Sequence, residues 1–260
     1  MPKRELEFLP IKTYRFDSAA EAVESVAREM ANWIRTKKYH RGDACLAFSS
    51  GEPVRPALDK IREMSGIEEK GGLPVSGVRC FGLAEFAGKG PGEAGSMSEW
   101  MSTAFYSQWG AQAEFRYELD GRLEGDALAG ACQAYEDALA AEGPADVLLV
   151  GMGATGRLGL HEPGTDPNGR AGLVELSETT RRELSEWHGG VEVPERAVSA
   201  GVATYRSALR VRVFAFGEHM AEVVDAGMLP DPDPQHPLSL LVGHKDVELL
   251  LDPGAASLLE

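Results

Sequence analysis

His161 and Glu162 stand side by side at the end of a glycine-rich run, GMGATGRLGLHEPG (151–164). An imidazole beside a carboxylate can move protons near neutral pH, although adjacent His and Glu also occur on ordinary loop surfaces. A second loop, Ser49-Ser50-Gly51, leads into PVRPALDKIREM, whose early prolines mark a helix start. Backbone N–H groups and the positive helix pole at such a place can hold an anion. Glu52 competes for that pole, because an acidic side chain stabilises the first turn by itself. Arg157 stays protonated near neutral pH and suits an electrostatic clamp better than a general base.

Other residue types offer less. His219, His236 and His244 show no H-E-x-x-H or other close ligand spacing, so no metal site and no cofactor are expected. Ser199 and Ser239 lack the G-x-S-x-G setting of an exposed nucleophile. Cys45, Cys80 and Cys132 are isolated and read as buried thiols. Trp33, Trp100, Trp109 and Trp187 are dispersed, mostly on predicted helices, and read as packing residues.

The elements that position these residues alternate. DSAAEAVESVAREMANWIRTKK opens with Ser18 and Glu21 at capping-box spacing and places Val23, Val26, Ala27, Met30 and Ile34 on one helical face. DACLAFSSG, VRCFGL, ADVLLVGMG, AGLVEL and VRVFAFG read as strands. SMSEWMSTAFYSQW, DALAGACQAYEDALAAE, SETTRRELSEW and EHMAEVVDAGM read as helices, and LPDPDPQHP (229–237) as a loop. Solidly apolar strands, each followed by a helix, indicate an α/β fold with a parallel sheet and helices on both faces. Ligands of such sheets sit beyond the carboxyl ends of the strands, here after Phe48, Leu83, Val150 and Phe216.

The 260 residues are 43% hydrophobic and suit a single α/β domain over 1–260. With 26 Lys+Arg against 41 Asp+Glu the formal charge is −15, which makes nucleic acid and acidic membrane surfaces poor partners. No apolar run reaches membrane-spanning length, and MPKRELEFLP carries four charges where a signal peptide needs an apolar stretch, so a cytoplasmic location is expected. A small-molecule ligand is the expected partner, with a homo-oligomer possible.

Together the strand-end segments resemble the glucosamine-6-phosphate deaminase/isomerase and 6-phosphogluconolactonase superfamily. ADVLLVGMGATGRLGLHEPG is similar to that family's strand plus G-x-G-x-D-G-H-I-x-F-N-E-P-G. SSGEP resembles T/S-G-G-S/T-P, FGLAEFAG resembles F-x-x-D-E-Y-x-G, and LSETTRRELSEW resembles L-T-x-x-T-R-x-x-N-S-R-F. VPERAVSAGVATYRSA, VFAFGEHMAEVV and HPLSLLVGH follow in family order. The resemblance spans roughly residues 45–245 and implies a Rossmann-like α/β domain. The H-E-P-G ending looks more like the deaminase branch than the lactonase branch.

The resemblance also shows where this chain departs. Isomerising an amino sugar phosphate needs an acid/base between adjacent carbons, a ring-opening acid/base held by a carboxylate, and groups that grip phosphate. Ala84 stands where the family has its proton-shuttling aspartate, leaving neighbouring Glu85 as the nearest substitute. Thr155 and Arg157 stand at the aspartate and ring-opening histidine. Glu162 matches the third member, and His161 replaces an asparagine.

At the phosphate subsite Glu52 replaces a small hydroxyl residue, Glu186 an arginine and Met220 a lysine. If these converge, each misplaced carboxylate repels phosphate by roughly 3–4 kcal/mol, about a hundredfold in affinity or more. The candidate catalytic residues are therefore Glu162, His161 and Glu85. The candidate binding residues are Ser49, Ser50, Gly51, Glu52, Gly153, Thr155, Gly156, Arg157, Glu186 and Met220. Two functions remain in view: an isomerase or deaminase relative acting on an altered sugar or amino sugar, and a non-catalytic sugar- or partner-binding descendant.

Overall fold

The computed structural model describes residues 3–40, 42–65 and 72–259. Its centre is an eight-stranded sheet made of β1 (Lys3–Leu6), β2 (Lys12–Phe16), β3 (Cys45–Phe48), β4 (Arg79–Gly82), β6 (Arg116–Tyr117), β7 (Val147–Gly151), β10 (Val211–Ala215) and β11 (Val247–Leu251), in the order β1-β2-β11-β10-β7-β3-β4-β6. All neighbours pair in parallel except β1 with β2, an antiparallel hairpin on one edge. The remaining strands, β5 (Ala84–Phe86), β8 (Gly172–Glu175) and β9 (Arg196–Ser199), form a small antiparallel sheet in the order β5-β9-β8. AGLVEL is thus a strand, as expected, but in this second sheet.

The central strands are apolar throughout because both faces are covered. On β7, Leu148 and Val150 pack on one face with Tyr135 and Leu139 of α5 (Gly125–Ala141), Tyr205 of α7 (Val202–Ser207) and Val224 of α8 (Ala221–Ala226). Val147 and Leu149 pack on the other with α1 (Ala19–His40), α2 (Arg55–Ser65) and Met101 of α3 (Met97–Met101). The α1 face predicted from its spacing is the buried one, and Ser18 Oγ accepts from Glu21 N at 3.3 Å at its start. An ion cluster pins α1 to the sheet: Arg212 of β10, 3% exposed, donates to both Glu29 oxygens (2.6 and 2.9 Å) and to Asp246 (2.9 Å).

Two expected helices are broken. SMSEWMSTAFYSQW runs as α3, a π-turn over Ser102–Tyr106 and α4 (Ser107–Trp109). The wider turn accompanies burial of Phe105, Tyr106 and Trp109 together. EHMAEVVDAGM begins as a 3₁₀ turn over Glu218–Met220 before α8. α6 (Glu178–Trp187) packs Leu184 against Phe86, Met97 and Ala197 of the small-sheet region and closes the top of the molecule.

Candidate functional site

The carboxyl ends of β3, β4 and β7 open onto a narrow cleft of about 20 Å³, where a parallel sheet presents ligands to its loops. Ser49, Ser50 and Pro53 come from the loop after β3, and Leu83, Ala84 and Met97 from the chain after β4. Gly151, Arg157, Gly159 and Leu160 follow β7. Leu184 and Trp187 of α6 and Tyr205 of α7 close it. Seven of these thirteen residues carry hydrocarbon, thioether or indole side chains, and no lining residue is a carboxylate.

Arg157 is 2% exposed, and its Nη2 donates to Glu183 Oε2 at 2.9 Å while Nη1 donates to the Gly159 carbonyl. The guanidinium also lies 5.1 Å from the Trp187 ring. The glycines of the site are covered by the chain's own side chains. A Cβ on Gly153 would strike Arg157 and Glu183, one on Gly151 would strike Pro53, and one on Gly159 would strike the Tyr205 hydroxyl. Gly51, at φ +109°, would meet Trp187 at 2.8 Å. Burial pushes the Tyr205 phenol well up, against the opposing influence of the Ser199 hydroxyl and the Arg157 guanidinium. Tyr205 is thereby unsuited to take a proton near neutral pH.

His161 does not reach the cleft lining. It is 4% exposed, with Nε2 2.9 Å from the Ala200 carbonyl and Nδ1 3.1 Å from Thr165 Oγ1. Nε2–H must donate to the carbonyl, so Nδ1 accepts from the hydroxyl and both nitrogens are used. Burial lowers its pKa, only partly offset by Ala200. The expected role as acid/base gives way to that of a buried tie between two loops.

Glu162 accepts from Thr155 Oγ1 at 2.7 Å and from Ser177 N at 3.0 Å. Burial pushes its carboxyl up, but the nearby Thr180 hydroxyl and the hydrogen bonds from Thr155 and Ser177 outweigh it and hold the carboxyl below the usual range. Thr155 therefore faces Glu162 rather than the cleft, and the pair fastens the glycine-rich loop to the start of α6. Gly156, at φ +81°, lies beside Val223 and also outside the lining.

Glu85 is 1% exposed and accepts from Phe86 N (2.8 Å), Met97 N (2.8 Å) and Ser98 N (3.1 Å). It anchors the start of α3, whose Met97 lines the cleft, while Ala84 faces the cleft itself. A substitute base at Glu85 is thus corrected to a structural carboxylate: its oxygens are occupied by backbone donors. Next to it, Glu118 lies against Gly82 at the end of β4, and burial together with the Glu85 charge pushes its carboxyl up to about 8, with Arg116 opposing.

The expected charge-reversed phosphate wall is not assembled. Glu52 is exposed and pairs with Arg55 at 3.0 Å, one turn along its own segment. Glu186 is exposed on the outer side of α6, and Met220 is 3% exposed in the hydrophobic core. None of the three lines the cleft. Of the other binding candidates, Ser49, Ser50 and Arg157 meet there, with Gly51 and Gly153 directly behind Trp187 and Arg157. Sequence reading missed Glu183, Leu184, Trp187 and Tyr205. The spacing of Glu183 and Trp187, one helical turn apart, placed them on one face, but only the fold shows that this face looks down on β7.

No family model matches the chain. A glucosamine-6-phosphate deaminase of Rhodopirellula baltica is 34% identical over 91% of this chain and 93% of its own length. One of Bacillus velezensis is 29% identical over 90% and 95%. Among solved structures, a monomeric glucosamine-6-phosphate deaminase superposes with a TM-score of 0.84 at 26% identity, covering 95% of this chain and 99% of that one. The 6-phosphogluconolactonase of Trypanosoma brucei shares the fold with a TM-score of 0.72 at 19% identity, covering 95% and 98%. With 34% of residues identical along nearly the whole length of a curated deaminase, and with the fold of a solved deaminase, the chain belongs to the glucosamine-6-phosphate deaminase family.

Proposed function

We propose that this chain is a deaminase-like protein of carbohydrate metabolism that receives a single sugar or amino sugar in its strand-end cleft, with altered phosphate recognition, and that it does not run the family's proton transfers through the family's positions. The observation that carries this reading is the cleft wall. Ala84 lines the cleft at the position the resemblance gives to the proton-shuttling aspartate, and Arg157, tied to Glu183, stands at the one it gives to the ring-opening histidine. Membership of a family whose relatives are named glucosamine-6-phosphate deaminases supports a sugar as ligand. The acidic charge of −15 favours a small-molecule partner over nucleic acid, and we place the protein in the cytoplasm.

One observation favours a second reading, catalysis on an altered substrate: Glu162 is retained and held ionised at the end of the glycine-rich loop. Release of ammonia from glucosamine and from glucosamine 6-phosphate, and hydrolysis of 6-phosphogluconolactone, separate the two. The expected result is no turnover of any of the three, with calorimetric binding of a monosaccharide. Turnover of glucosamine alone would favour the second reading, and robust turnover of either phosphorylated substrate would overturn the proposal.

A further inference from the structure

We propose that Glu118 and Glu85 form a proton-operated switch across the corner that carries β4 into β5, so that ionisation of Glu118 frees the start of α3. The switch belongs to the fold and does not depend on what the cleft holds.

The two carboxyls belong to the corner that holds Leu83 and Ala84 against the cleft, and they are provided for unequally. Glu85 accepts from the backbone N–H groups of Phe86, Met97 and Ser98. Glu118 fills the bare face of Gly82, where a Cβ would strike its carboxyl, and among the described residues no group donates a hydrogen bond to it. Unsatisfied polar atoms gather nearby: the Tyr106 hydroxyl and Arg116 Nε are both buried and lack a hydrogen-bond partner among the described residues. Arg116 directs Nη2 to the Ala111 carbonyl, and its guanidinium lies 5.1 Å from the Tyr106 ring. A carboxyl held by donors ionises early, whereas one without them keeps its proton. The pair therefore titrates in two steps, Glu85 dominating the first and Glu118 the second.

The other titratable groups packed around the corner keep one charge state near neutral pH. Burial pushes up the Cys80 thiol on β4, the Tyr106 phenol in the π-turn and the Tyr135 phenol on α5. It pushes His188, which meets the Phe86 ring edge-on, down to about 4, and Arg116 stays a cation. Proton exchange here thus rests with the two carboxyls, and burial with the Glu85 charge raises that of Glu118 to about 8. Once ionised, Glu118 adds a second negative charge that no donor offsets. It repels Glu85, which holds Met97 and Ser98, and the first turn of α3 is left with the Ser96 hydroxyl accepting from Glu99 N at 2.9 Å. Opening that turn lets Glu118 reach water and lose its proton. The closed form is therefore complete at low pH, weakens as pH rises toward about 8 and levels off above it.

The test is amide hydrogen exchange on the full chain from about pH 5.5 to about pH 8.5, expressed as protection factors so that the intrinsic rate drops out. Met97 and Ser98 are expected to lose protection progressively, about thirtyfold or more across that range, since one proton released on opening allows up to about tenfold per pH unit. They are also expected to stay about tenfold or more below Leu148 and Leu149 of β7 at every pH, as a local opening requires. In Glu118→Gln the same two amides should change by less than about threefold. Flat protection at Met97 and Ser98 in the parent overturns the proposal, and so does protection equal to that of β7, which would put the loss in global unfolding. A pH dependence that survives in Glu118→Gln removes Glu118 from the switch. Should that variant fail to fold, the carboxyl carbon-13 resonance of Glu118 in the parent decides: a midpoint at about 8 is expected, and one at the ordinary 4.5 overturns the proposal.

Discussion

Glu183 Oε2 lies 2.9 Å from Arg157 Nη2 across 26 residues of sequence, and the two side chains lie together over the bare face of Gly153. The partners are unequally placed: the Arg157 side chain is 3% exposed and that of Glu183 16%. Removing one therefore has a different consequence from removing the other.

Glu183→Gln leaves a buried cation without its counter-charge and is expected to destabilise by about 3–5 kcal/mol. Arg157→Met leaves a carboxylate that can reach water and is expected to be milder, about 1–3 kcal/mol. Urea unfolding of both variants checks the order. An equal or reversed pair of losses would show that Arg157 is not desolvated as described.

Glu118 makes stability depend on pH. Its folded-state pKa is raised to about 8, so the neutral carboxyl is the form the fold accepts. The contribution is complete below the unfolded value near 4.5 and is lost as pH rises through about 8, because the unfolded chain ionises first. Glu118→Gln removes that loss. Relative to the parent, the variant is expected to gain of the order of 4–5 kcal/mol between pH 4 and pH 9, and thermal melts across that range read it. A stability difference independent of pH contradicts the shift.

Glu85 collects three backbone donors, and Glu85→Gln replaces one of its acceptor oxygens with a donor facing an N–H. A loss of about 2–3 kcal/mol is expected, accompanied by faster hydrogen exchange at Met97 and Ser98. Unchanged exchange at these two amides would count against the carboxylate as the anchor of α3.

Gly51 combines φ +109° with the Trp187 contact, so Gly51→Ala meets two separate obstacles. Backbone strain accounts for about 1–3 kcal/mol, and the clash with the indole adds to it. In a double-mutant cycle Trp187→Ala should relieve only the second part. Complete rescue would mean that the backbone conformation costs nothing.

The alternation of apolar runs and amphipathic helices made the parallel sheet legible, since covering both faces forces every β7 side chain from Val147 to Val150 to be apolar. Periodicity gave the buried face of α1 for the same reason. β1 and the short β6 were missed because Lys3–Leu6 and Arg116–Tyr117 carry charged residues in edge positions that need no second apolar face, and β2, β5, β9 and β11 were not read as strands either. The site was legible as a place but not as a wall. Strand-end loops pointed to Ser49, Ser50 and Arg157, which do meet. Glu52 and Glu186 were assigned inward from motif alignment alone. A side chain's direction on the first or last turn of a helix depends on tilt, which short motifs do not carry, and both carboxylates find water at lower energy than a desolvated cleft.

The glycine faces that this chain covers with its own side chains tie distant positions together. A histidine placed at position 157 would empty the space over Gly153 and strand Glu183 beside a smaller ring. The three positions are therefore interlocked: a change at one leaves a void or an unpaired charge at the others, and substitutions there are tolerated only in concert.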